Sequence, residues 1–135
     1  MQAKDIMTAD VQTVSPTTPV SAIARLLLDR RISAVPVVDA DDRVLGIVSE
    51  GDLMRRTEAG TARRRSWWLE LFSDDSALAR EFVRSHGLHA ADVMTPHVVS
   101  VTENTDIAQI AELLDSRSIK RVPVVRDGKL VGIVS

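Results

Sequence analysis

Several groups of residues carry side chains and spacings that could do chemistry. Lys120 and Arg121 are adjacent, and together they supply the fixed positive charge and multiple donors that a phosphate needs. Asp52, in Ser49-Glu50-Gly51-Asp52, offers a carboxylate that can accept hydrogen bonds from two neighbouring hydroxyls, as on a sugar. The same aspartate also suits the cap of a helix beginning there, and the basic pair also suits a solvated strand start. Asp39, Asp41 and Asp42 share one turn, where carboxylates either attract a divalent cation or simply make the turn polar.

Other constellations point away from chemistry. His86 and His89 are three apart with Asp92 nearby, but Gly87 would interrupt any helix aligning them, so no metal site is expected. Arg63-Arg64-Arg65 beside Trp67-Trp68 is where basic and aromatic residues interleave, as in single-strand binders. The patch is short and reads instead as an exposed turn, followed by Trp67, Trp68, Leu71 and Phe72 covering the core or a subunit interface. With no cysteine, no tyrosine, no P-loop, no dinucleotide fingerprint and no nucleophile–base spacing, no catalytic residue emerges and an enzyme is not expected. A net charge of −2 gives no global field for nucleic acid or an anionic membrane. No apolar run approaches the ~20 residues of a spanning helix, and Met1-Gln2-Ala3-Lys4-Asp5 is not a signal peptide. Lack of cysteine fits a reducing compartment, so a cytoplasmic protein is expected.

These residues sit on a chain that repeats itself. With residue n set against n+87, 16 of the 35 positions from Asp5 to Asp39 are identical. Asp5-Ile6-Met7-Thr8 returns as Asp92-Val93-Met94-Thr95, the run 32–38 as 119–125, and Gly46-Ile47-Val48-Ser49, one residue out of step, as Gly132-Ile133-Val134-Ser135. Each copy is near the lower size limit for folding alone, so the two should pack on each other. Thr18 followed by Pro19 marks a helix start, and Val20, Ile23, Ala24 and Leu27 then fall on one face. Thr105, as cap, and Asp106, in the first turn, mark a second helix with Ile107, Ile110, Ala111 and Leu114. Residues 34–38 with 43–48, and 121–125 with 129–134, read as hairpins, the second turning at Asp127-Gly128. Each copy is thus expected to be strand, helix, strand, strand, with a closing helix from Asp52 to Glu58 in the first. Repeat 1 spans 1–58, a structured connector 59–89 and repeat 2 90–135.

The Asp-Ile-Met-Thr opening, the Ile-x-x-Val-Pro-Val-Val strand and the Gly-Ile-Val-Ser-Glu-Gly-Asp motif resemble the CBS domain family, in its tandem arrangement or Bateman module. The resemblance implies an α+β fold of βαββα repeats packed through their sheets about a pseudo-twofold axis, with two clefts between them. It implies a regulatory module sensing adenine nucleotides (AMP, ADP, ATP or a related adenosyl compound) as ligand rather than obligatory cofactor, pairing into homodimers. Carried onto this sequence, Asp52 would meet the ribose and Lys120 and Arg121 the phosphate. Adenine would lie against Thr8, Val11, Ile32, Ser33, Ala34 and Pro36, with Ser49 beside the ribose or phosphate. The second cleft departs from the pattern: Ser33 and Ala34 stand where the first has its basic pair, and the sequence reaches Ser135 three residues before a second aspartate would come. A weaker cleft lined by Thr95, Val98, Ile119, Pro123 and Ser135 is therefore expected. The Trp-Trp-Leu segment also resembles bacterial proteins in which a BON domain follows the pair, which fits a chain continuing past Ser135 toward an output domain. The competing expectations are a protein assembly module with unoccupied clefts, binding a partner protein, and divalent-cation sensing.

Overall fold

The computed structural model describes residues 1–58 and 88–135, with side chains at 1–54 and 88–135. The arginine run 63–65, Trp67, Trp68, the helix expected around 78–83 and His86 lie outside the described residues.

The chain opens with a one-turn helix, α1 (Ala3–Ile6), followed by the amphipathic α2 (Val20–Arg30). A hairpin of β1 (Ala34–Val38) and β2 (Val44–Ser49) leads directly into α3 (Glu50–Glu58). The second copy repeats the order: α4 (Ala90–Val93), β3 (Thr95–Pro96), β4 (Val101–Thr102), α5 (Ile107–Ser116), β5 (Val122–Arg126) and β6 (Lys129–Val134). The hairpin β5–β6 turns through Asp127 and Gly128, both at positive φ, which is the backbone that Asp-Gly favours. The strand expected before each helix is rudimentary: β4 pairs in parallel with β5, and in the first copy Val14 alone bridges Val37.

The helix caps fall one residue from where the sequence placed them. Pro19 flanks α2 without a side-chain cap, while the Thr18 hydroxyl accepts from the Ser15 N–H at 3.0 Å. Asp106, not Thr105, caps α5, its carboxylate accepting from the Ala108 N–H, and Thr105 closes a turn onto Thr102. In both copies the threonine hydroxyl is engaged three residues back, and in the second copy the neighbouring Asp106 supplies the side-chain cap instead.

The two copies exchange their openings. Residues of α1 hang on the second copy through Ala3 N–H to Thr105 O and Lys4 N–H to Glu103 O. Eighty-seven residues on, Ala90 N–H reaches Thr18 O and Ala91 N–H reaches Pro16 O. Consequently Ala3 is buried among Val101, Ile110, Val122, Val124 and Val134, whereas Ala90 and Val93 are buried with Val20, Ile23, Leu27, Val35, Val48 and Leu53. Burying Val93 stabilises by about 1.5–3 kcal/mol, so the first core gains directly from the other copy's opening, while the second takes in Ala3 and packs against Met7. The sheets follow suit, because β3 adds to β2 as the third strand of the first sheet, and Thr8 bridges Ile133 at the edge of the second.

The shared motifs have a packing cause. Asp5 and Asp92 accept from the backbone N–H of Gln2 and His89, closing α1 and α4. Met7 crosses over Gly132 and Met94 over Gly46 so closely that a Cβ on Gly132 would sit 2.5 Å from the Met7 sulfur, and one on Gly46 would sit 2.7 Å from the Thr95 carbonyl. The aspartate, methionine and glycine recur together because the opening of one copy lies on the closing strand of the other.

Candidate functional site

The strand β2 and helix α3 carry the aspartate to the junction between the copies. Ser49 stands at the start of α3, and Asp52 folds back on it: Oδ2 accepts from the Ser49 N–H and hydroxyl, both at 3.0 Å, while the Asp52 N–H donates to the Ser49 hydroxyl. The helix thus begins at Glu50, two residues before the expected start, and Asp52 lies in its first turn. Across the junction the Thr95 hydroxyl donates to Asp52 Oδ1 at 3.1 Å, a bond that exists only because β3 lies beside β2. Asp52 is 2% exposed and is the one charged side chain among the buried residues described.

Facing it, the turn between α5 and β5 holds the basic residues. Arg121 is half-buried and donates through Nη2 to the Ser33 hydroxyl at 3.0 Å, and Lys120 is exposed beside it. Between these two walls lies a cleft of about 640 Å³, within the range of small-molecule sites. From the first copy Ser33, Ile47, Ser49, Glu50, Gly51 and Asp52 line it; from the second come residues 95–99 and 117–121. One cleft therefore presents a carboxylate with flanking hydroxyls, an apolar strip of Ile47, Val98, Val99 and Ile119, and a cationic edge.

The cleft groups the expected residues differently. Ser33, Ser49, Asp52, Lys120 and Arg121 come together, but they are joined by Thr95, Val98 and Ile119, which the sequence placed in the second cleft. Thr8, Val11, Ile32, Ala34 and Pro36 do not line this space. Thr8 is bonded to Ile133 at the other sheet, Ala34 is paired with Ser49, and Pro36 is buried. Ile32 borders an adjoining groove of about 350 Å³ with Leu27, Leu28 and Arg31, which meets the cleft at Ser33 and Glu50. Pro123 is likewise buried, and Ser135 is exposed just past β6. The exchanged openings account for the threonine: Thr95, in the opening of the second copy, bonds Asp52 of the first, while Thr8 lies on the other sheet. Glu50, His97, Arg117 and Ser118 also line the cleft and were not among the expected residues, although Glu50 sits within the Gly46–Asp52 motif and Arg117 and Ser118 immediately precede Ile119 and the basic pair.

No group of carboxylates and histidines among the described residues is arranged to hold a metal, and His89 stands 3.6 Å from Asp92 within its own turn. No helix among the described residues is long and apolar enough to cross a membrane. An exposed ion pair lies outside the cleft, where Arg126 grips Glu103 through two bonds of 2.6 and 2.7 Å. The Arg126 hydrogen bond, and then its charge, hold the Glu103 carboxyl below its ordinary range.

Comparison with known proteins finds relatives in sequence and in fold. The profile of the CBS domain matches residues 3–58 and 90–135. The chloroplastic CBS domain-containing protein CBSX1 of Arabidopsis thaliana is 35% identical over 132 residues, covering 93% of this chain and 56% of its own. The inosine-5'-monophosphate dehydrogenase of Thermoplasma acidophilum is 32% identical over 131 residues, covering 96% of this chain and 21% of that enzyme. This chain therefore spans just over half of the first relative and about a fifth of the second. Among solved structures, CBSX2 in complex with AMP superposes with a TM-score of 0.73 at 28% identity, covering 99% of this chain and 89% of that one.

Proposed function

We propose, from the premise that this chain belongs to the CBS domain family, that it is a regulatory module binding an adenine nucleotide or related adenosyl compound between its two repeats. The observation that carries the reading is the meeting of Asp52, Lys120 and Arg121 around one cleft with an apolar strip between them. Asp52 accepts from the ribose hydroxyls, in the place the Thr95 hydroxyl takes on Oδ1. Lys120 and Arg121 hold the phosphate, Arg121 giving up its bond to Ser33 for a charge-assisted one. The base lies along Ile47, Val98 and Ile119, and Thr95 and Ser49 flank the sugar. Support comes also from CBSX2, whose structure contains AMP.

Regulation follows from which elements the ligand joins. Asp52 belongs to α3 of the first repeat and Arg121 to the turn before β5 of the second, so occupancy favours whichever relative placement of the two lets both contacts form. The test is calorimetric titration of the chain with AMP, ADP, ATP and S-adenosylmethionine. Saturable binding to at least one is expected, weakened by Arg121→Ala; no heat and no thermal stabilisation by any of them overturns the reading.

A further inference from the structure

The cleft holds one more cation than a single phosphate uses. Arg117 lies at the end of α5 and lines the same space as Lys120 and Arg121, with Ser118 and Ile119 between them. It is exposed, and neither Arg117 nor Lys120 makes an ion pair among the described residues. The turn fixes the backbone at Arg117, since its N–H bonds to Leu113 O and that of Ser118, at φ 52°, bonds back to Asp115 O. Those backbone donors are therefore committed to ending the helix, which leaves anion binding at this corner to the guanidinium. The acids of the cleft, Glu50 and Asp52, sit on the opposite wall, in the first turn of α3, so charge is segregated across the space.

We infer that Arg117 extends the phosphate subsite and makes the cleft select nucleoside di- and triphosphates over monophosphates. The inference rests on the nucleotide-binding reading and adds to it a ligand class and the residue that sets it. A monophosphate satisfies Lys120 and Arg121 and leaves Arg117 in water, whereas a second phosphate reaches toward the start of the turn and pairs with it. A guanidinium suits this task because its fork of donors spans two oxygens of one phosphate, and the cleft is wide enough for both groups to keep part of their hydration.

The experiment is a set of calorimetric titrations of the full chain and its Arg117→Ala and Arg117→Lys variants with AMP and ADP, without divalent cation and at one ionic strength. ADP is expected to bind about tenfold tighter than AMP to the unmodified chain, since one charge-assisted contact distinguishes them. Arg117→Ala should remove that preference by weakening ADP about tenfold while changing AMP less than about twofold, and Arg117→Lys should restore part of it. Equal affinities for the two ligands, or an Arg117→Ala variant that weakens both alike, overturn the role of Arg117 while leaving the nucleotide reading in place. Failure of both ligands to bind the unmodified chain overturns the two together.

Discussion

At the scale of single residues, Asp52 and Arg121 do different work in the unliganded protein. Asp52 closes the first turn of α3 on Ser49 and receives Thr95, so its removal leaves a helix start and a threonine hydroxyl without their acceptor. Asp52→Ala is expected to lower unfolding stability by about 1–3 kcal/mol in the absence of any ligand, measured by urea denaturation. Arg121 makes a single bond to an exposed serine, so Arg121→Ala should change stability by less than about 1 kcal/mol and weaken AMP about tenfold. The acidic residue thus confounds binding with folding, and the basic one separates them. Both were legible as candidates from their types and motif. That Asp52 pairs with Thr95 rather than Thr8 was not, because letters give no sign of which copy a threonine will face.

At the scale of elements, the two crossings of a methionine over a glycine hold the repeats in register. At Gly46 the nearest atom to an added Cβ is the Thr95 backbone carbonyl, whereas at Gly132 it is the far end of the Met7 side chain, which can swing away. Gly46→Ala should therefore destabilise more than Gly132→Ala, by about 1–3 kcal/mol against less, in equilibrium denaturation. The clamp of Arg126 on Glu103 gives a pH dependence of known sign. With its folded pKa depressed, Glu103 contributes stability above its ordinary range, and the contribution is lost as pH falls through the folded value. The stability difference between the unmodified chain and Glu103→Gln should therefore shrink as the solution is acidified. Helices α2 and α5 and both hairpins were readable from apolar spacing and from Asp-Gly at the turn. The one-turn helices α1 and α4 were not, since four residues carry no period and their cause is the surface of the other repeat.

At the scale of the whole molecule, the repeat in the sequence is not the unit that folds. Each core is completed by the other copy's opening, so fragments 1–58 and 88–135 should be largely unfolded alone by circular dichroism and gain structure on mixing. The likeness between copies specifies this exchange, while their differences fall in the cleft, where Ser33 faces Arg121 across the pseudo-symmetric pair of positions. Binding should be asymmetric, with one phosphate-holding cleft per chain. An adenine nucleotide is expected to occupy the space between Asp52 and the 117–121 turn. Calorimetric titration of the chain with AMP tests this most directly, run beside Arg121→Ala. One saturable site per chain that the substitution weakens about tenfold is the predicted result, and either no binding or two equal, tight sites indifferent to Arg121 would contradict it.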